Sequence, residues 1–397
     1  KGIIEYIGQQ NEQKATTYPR FKSYQSDISI SNFGHGELVY TGGVALRGSS
    51  IYSASAYGQY AVLEGSNEGN KRFKATSRLF NFQEADSMIT ARVGAVIIYQ
   101  GNDSIYHSAV SFEYETDNSV LRLKSAKGGF KNTPYNSSYF NIDFNADLIE
   151  WDIKTDSLDI SVITARNEKP VVIESRDYYR TDMFDALSGL HNFHPLIILV
   201  NYSRKVGSVE FSLLDIVEET KIPEPLLRKT MMDLMQKGLI DFESEVGNIT
   251  ISRKGYHYYL SQRGRKDYDD MIIPSITGSA PNATVYFDQN MMKMRGVESF
   301  YISDSLDVII SPDNKEISIL KNRSIQFDGS MYAGNIQFMG EQITFQYDSF
   351  LVDLPKIDSI RLLVTLENGN RKRLDNQLVE TSGTLYINEK NNKSGIR

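Results

Sequence analysis

The chain has no cysteine, so proton transfer or metal ligation would fall to its five histidines and fifty Asp and Glu residues. His191-Asn-Phe-His194 is the one close histidine pair, with Asp182 and Asp185 just upstream. On a single helical turn, imidazoles at i and i+3 with a carboxylate could hold zinc. Gly189 and Pro195 interrupt that segment. The pair is therefore expected in a loop that caps the next helix. His35 lies in the turn-like Gly34-His-Gly36 and His107 in a strand-like run, neither with a partner close in sequence. Glu150-Trp151-Asp152 sets the sole tryptophan between two carboxylates. In a strand the acids would share one side and Trp151 would point to the other, which gives a core ring under a solvated edge. No Gly-X-Ser-X-Gly elbow or Walker loop occurs, and Gly42-Gly43 and Gly128-Gly129 lack phosphate-loop context. The expectation is no catalytic residue, no metal and no cofactor.

Surfaces remain as candidates. Gly34 to Gly65 is rich in Gly, Ser and Tyr, with Tyr40, Tyr52, Tyr57 and Tyr60. Tyrosines on a β-face can stack on sugars, and with small residues they also allow close packing of β-layers. A glycan or lipid ligand therefore stays open. Net charge is −7 over 397 residues, which argues against nucleic acid as a partner of the whole chain. With 40% apolar residues, 24 Tyr and 19 Phe, the chain is too apolar for a disordered tail and long enough for two or three domains. Its longest apolar run, Pro195-Leu-Ile-Ile-Leu-Val200, falls far short of the roughly 20 residues of a membrane span. Absence of cysteine favours an exported protein that folds without oxidation. The start at Lys1 and the end at Arg397 suggest a segment of a larger protein.

Two stretches carry strand texture. Glu37–Thr41, Val93–Tyr99, Ala109–Tyr114, Val120–Leu123 and Leu158–Ile163 lie in the first. Thr284–Phe287, Leu306–Ile310, Glu316–Leu320, Ile343–Tyr347 and Ile360–Val364 lie in the second. Asp-Ser followed by a large apolar residue recurs at Asp86, Asp103, Asp156, Asp304, Asp348 and Asp358, as expected of turns feeding strands. The run from Ala91 to Leu123 resembles the strand grammar of OstA/LptA-type β-jelly rolls, exported lipopolysaccharide-transport proteins whose strands stack into an open trough. That resemblance implies architecture only.

Between Tyr178 and Lys266 the period changes from two to 3.6. A short helix is expected within Tyr178–Leu190 and a buried one from Pro195 to Tyr202. Phe211-Ser212 reads as a bridging strand ending in an N-cap, followed by a helix over Leu213–Glu219 and another over Glu224–Lys237 that Gly238 stops. A hairpin through Leu239–Ile251 and a last helix from Arg253 to Leu260 complete the order. Leu213 to Pro223, Leu234-Met-Gln-Lys-Gly-Leu-Ile240 and Ile251-Ser-Arg-Lys-Gly-Tyr256 resemble the winged-helix fold of the MarR/ArsR type. In that family the second helix reads the major groove and the wing touches phosphate. The resemblance places Arg228 and Lys229 at the reading surface, beside a wing bearing Glu243 and Glu245. Residues 192–266 hold eleven basic and nine acidic residues, a thin excess for counterion release.

The expected architecture is mainly β with an α+β insert: a β-layer domain over 1–177, a helical and winged-helix-like segment over 178–266, and a second, jelly-roll-like β-layer domain over 267–397. The expected function is a non-enzymatic structural or binding segment of a large bacterial envelope protein. The insert would act as a spacer or contact protein partners or other segments of the same protein. The alternatives are a DNA-binding regulator using Arg228 and Lys229, and a carbohydrate-binding or adhesive module using the tyrosines.

Overall fold

The computed structural model describes residues 2–6, 19–33, 35–48, 50–54, 59–83, 87–126, 132–163, 170–189, 192–278, 280–365 and 371–395. The protein is mainly β, with 52% strand and 16% helix, and its ladders are antiparallel. Among the described residues no helix is long and apolar enough to cross a membrane.

The chain packs as two compact units, one of residues 1–128 with 146–160, the other of 129–145 with 161–397. The first unit is built around Met88–Gln100 and Asp103–Glu115, paired from Met88 opposite Glu115 to Gln100 opposite Asp103. The register shifts on both sides of Gly94. Such a bulge bends a strand and raises its local twist. The outer edge of Met88–Gln100 accordingly serves two partners: Ala95–Ile98 pair with Phe73–Thr76, and Met88–Thr90 pair with Asn81–Gln83. Alternation in Leu38–Gly42 and Ala61–Asn67 sends Leu38, Tyr40 and Leu63 inward. There they join Phe73, Phe80, Phe112, Tyr114 and Trp151. Trp151 is buried while Glu150 points outward to Arg122, so the expected core ring under a solvated edge is observed.

In the second unit, Ile142–Phe144 pairs with Val171–Ser175, which pairs with Ile272–Ser275. A further ladder runs Ile325–Ala333, Ile336–Gln346, Leu351–Thr365, Arg371–Tyr386. Among the described residues five helices interrupt this β-structure: α1 Thr181–Asp185, α2 Pro195–Val206, α3 Leu213–Thr220, α4 Glu224–Gln236 and α5 Arg253–Gln262. A three-stranded sheet orders Glu210–Ser212, Asn248–Ile251 and Ile240–Glu243. The starts and stops follow local chemistry. Pro195 opens α2, Ser212 and Asp215 form a capping box on α3, and Gly238 takes φ 71° just past α4. Gly255 lets the first turn of α5 approach the chain at Leu239. A Cβ there would lie 2.2 Å from the Leu239 carbonyl oxygen.

Two details differ from the sequence expectations. Packing groups the helices with the strands on both sides of them, whereas periodicity alone divides the chain into three. Asp358-Ser359 lies inside Leu351–Thr365, with Ser359 buried and paired to Met339 on one side and Val379 on the other, so here the Asp-Ser pair is strand interior and not a turn. Asp103, Asp156, Asp304 and Asp348 do lie at strand starts or in turns, and Asp86 is outside the described residues.

Candidate functional site

The residues singled out by type do not form one surface. Tyr40 is 1% exposed and donates to the Gly43 carbonyl at 2.6 Å. Burial pushes its hydroxyl up to about 12. It is a core side chain, which corrects its assignment to an interaction surface, and the reason is its even spacing from buried Leu38. Tyr52 is half-buried opposite Ala45. Tyr60 is exposed, with the Arg78 guanidinium 5.1 Å above its ring. Tyr57 lies outside the described residues. Beside Tyr40 opens a cleft of about 400 Å³ walled by Ile30, Val44, Ile51, Phe82 and Ile89.

Arg228 is held within its own unit. Its Nη2 donates to Glu224 at 2.7 Å, its Nη1 to the Ser244 carbonyl, and its guanidinium lies 5.9 Å from the Phe242 ring. Lys229 is exposed. His194 caps α2: its Nδ1 accepts from Ile197 N–H while Nε2 reaches the Phe184 carbonyl at 3.0 Å. Both ring nitrogens are thereby used, and burial lowers the pKa. His191 lies outside the described residues. His107 does have a local partner, accepting from Ala109 N–H two residues on. Among the described residues no three His, Asp or Glu side chains converge to hold a metal ion.

The densest chemistry lies where α5 meets the strands of the second unit, among residues the sequence reading passed over. Arg323 is 3% exposed and donates through Nη1 to Asp177 at 2.8 Å and to Ser175 at 3.0 Å. Its guanidinium sits 3.7 Å from the centre of the Tyr347 ring. Tyr347 and Ser175 both donate to Asp269 Oδ2, at 2.5 and 2.6 Å. Lys266 reaches Asp177 at 2.9 Å. Asn322 and Arg323 adopt φ of 52° and 64°, a left-handed pair that side chains disfavour. Asn322 is tied there by Asn141, which donates to its Oδ1 at 2.8 Å, and by Arg323 Nη2 at 3.0 Å.

Electrostatics divides the two acids. Burial alone would raise both carboxyls, and it does raise Asp269. Arg323 and Lys266 overcome it at Asp177 and hold that group well below the usual carboxylate range. Burial also raises the Tyr347 hydroxyl. His257 is lowered to about 4, first by burial and then by Lys266.

Ser261, His257 and Asp177 bring the residue types of a hydrolytic triad together, but their bonding is wrong for it. His257 Nε2 gives its proton to the Asp177 carbonyl at 2.7 Å, so it cannot take one from Ser261 Oγ, 3.4 Å away. Among the described residues His257 Nδ1 has no hydrogen-bond partner, and it stands 3.8 Å from Asp177 Oδ1. Ser261 and His257 are 4% and 1% exposed, which also leaves no room for substrate.

The second cluster is Lys254 between Glu174 and Asp143, the latter 3.4 Å away. Burial works against the Lys254 charge, but the two acids prevail and its pKa is raised. Lys254 and His257 lie one turn apart on α5, so one helix face joins both clusters. No protein-family model, no curated protein and no solved structure matches this chain.

Proposed function

We propose that this chain is a non-enzymatic structural or binding segment of a large exported bacterial envelope protein. Its strand regions are stacked β-layers of jelly-roll character. The insert, with helices α2 to α5 and the three-stranded sheet, is a winged-helix-like module used as a rigid spacer or for contact with protein partners. The observation that carries this reading is the bonding of Arg228. The one side chain of the reading helix best suited to grip phosphate has both terminal guanidinium nitrogens bonded within its own unit, to Glu224 and the Ser244 carbonyl. Exposed Glu243 and Glu245 on the adjoining hairpin would repel a duplex. The Lys254 cluster adds support, since it ties α5 to the strands at Asp143 and Glu174. The absence of cysteine supports an extracytoplasmic setting.

The test is duplex-DNA binding followed by anisotropy in low and moderate salt. Binding no tighter than the micromolar and weaker range of non-specific contacts is expected. Salt-dependent binding well below that range, abolished by Arg228→Ala with Lys229→Ala, would replace this reading with a DNA-binding regulator. A second reading rests on the cleft beside Tyr40, whose walls are mostly apolar, with Gln83, Ser87 and Thr116 among them, and suit a lipid-like ligand better than a sugar. Displacement of a fluorescent fatty-acid probe, weakened by Ile51→Glu, would support it.

A further inference from the structure

The insert is close to neutral as a whole, yet its charges are segregated. All nine acids between residues 192 and 266 fall within residues 210–245, a stretch with only four bases, Lys221, Arg228, Lys229 and Lys237. The other seven bases lie before or after it. Five of the acids gather where the tip of the hairpin meets the start of α3. Glu210 accepts from Asn248 at 2.7 Å, Asp215 caps α3, and Glu218 follows one turn later. Glu243 and Glu245 are exposed on the tip itself. The bases that come near are already taken. Arg228, which reaches the tip at the Ser244 carbonyl, is paired with Glu224, and Lys205 of α2 is paired with Glu219 at 2.7 Å.

Two apolar side chains stand exposed among these acids, Leu214 at 57% and Val246 at 60%. Strand Glu210–Ser212 pairs with the hairpin as far as Ser212 opposite Asn248, and the Leu213 N–H then donates to the Gly247 carbonyl at 2.7 Å. Leu214 and Val246 each lie one residue beyond that bond, so they are neighbours. The tip that presents Val246 is held in shape, because the Val246 and Gly247 N–H groups both donate to the Glu243 carbonyl. A lone exposed apolar side chain needs no explanation. An apolar pair on a fixed turn, rimmed by charge of one sign, is what a docking surface presents.

We propose that this surface docks a basic segment of a protein partner, one in which lysine or arginine flanks an apolar side chain. The apolar side chain covers Leu214 and Val246, and the cations meet Glu210, Glu243 and Glu245. Nucleic acid and an anionic lipid surface carry the wrong sign for it. The proposal rests on the reading of the insert as a contact module and supplies the chemistry of its partner.

The experiment adds the full chain to a fluorescein-labelled peptide of alternating lysine and leucine and follows anisotropy. Saturable binding with a Kd of about 10–100 μM is expected at about 0.15 M salt, weakened severalfold at about 0.5 M. Glutamate in place of lysine should abolish binding, and serine in place of leucine should weaken it about tenfold. Leu214→Ser and Val246→Ser, both at exposed positions, should each weaken it severalfold. Glu243→Gln with Glu245→Gln should weaken it and flatten its salt dependence. The proposal is overturned by no saturation up to about millimolar chain, by equal binding of the glutamate peptide, or by unchanged affinity in Leu214→Ser and Val246→Ser. Such a failure with duplex DNA still unbound removes this surface and leaves the spacer role standing, whereas tight, salt-dependent duplex binding removes the reading beneath it.

Discussion

Both compact units have apolar cores, and they differ in whether they also bury charge. In the first, Trp151, Tyr40, Tyr114, Phe73, Phe80 and Phe112 fill the centre, and ion pairs such as Lys71–Glu64 and Arg122–Glu150 stay at the surface. In the second, Arg323, Asp269, Asp143 and Lys254 are buried among the strands and α5. Apolar burial has no direction, so it can close a sheet on itself but tolerates sliding. Charges at hydrogen-bond distance tolerate none. A helix laid on strands needs such a fix, because its apolar stripe alone admits several settings. Buried pairs seldom add net stability, and orientation is the better account of them here. The molecule supplies a probe for each unit: Trp151 reports on the first by fluorescence, and the described helices, all in the second, report by circular dichroism.

The largest expected effect comes from Arg323→Met. It removes the guanidinium from over Tyr347 and leaves Asp177 and Asp269 without their shared cation. Breaking a buried pair in this way costs about 3–5 kcal/mol. Urea unfolding followed by helical dichroism should shift by that amount, with the Trp151 transition unmoved. Lys124→Met is the counterpart in the first unit. Its pair with Glu113 is partly exposed on both sides, and the expected loss is about 1 kcal/mol or less. Equal losses would abolish the contrast between the units.

A somewhat smaller effect is expected on acidification. Folding lowers His257 from 6.5 to about 4, so the folded imidazole holds a proton less tightly than the unfolded one. Between those values the unfolded state takes up the proton, and stability falls as pH falls. At about 1.4 kcal/mol per unit the full loss approaches about 3 kcal/mol. Asp269 and Glu174, raised by burial, act in the opposite sense. The difference between the wild type and His257→Gln therefore isolates the histidine. The wild type should lose about 2–3 kcal/mol more between pH 7.5 and 4.5. Parallel curves would show that His257 is not buried in its neutral form.

These residues explain what could and could not be read from the chain. Helices α2 to α5 announce themselves through Pro195, Ser212, Gly238 and Ser252, each acting within a turn of its own position. Strands were legible as runs, but their lengths and partners were not. Nothing near Met88–Gln100 says that one edge will serve two different strands. Tyr40 is marked as inward by its even spacing from Leu38 in an alternating strand, although the small residues around it are equally compatible with an exposed tyrosine face. The ion clusters had no local signature, because Asp177, Asp269, Arg323 and Tyr347 meet only once the sheets form. Their one trace was Lys254 and His257, two polar residues on the face of α5 that carries Tyr258 inward.

The smallest effect tests whether local capping matters beside those charges. Ser212 Oγ accepts from Leu214 N–H at 3.2 Å, and Asp215 returns the bond to Ser212 N–H at 3.0 Å. Ser212→Ala removes half of this reciprocal cap and should cost about 1 kcal/mol. The loss should appear in the helical signal alone, since α3 lies wholly in the second unit. Lys71→Ala, which removes an exposed pair with Glu64 in the first unit, should stay within about 0.5 kcal/mol. If Ser212→Ala also leaves stability unchanged, the buried charges hold α3 in place without help from its cap. The orienting role assigned to them would then extend along the insert beyond the helix that carries them.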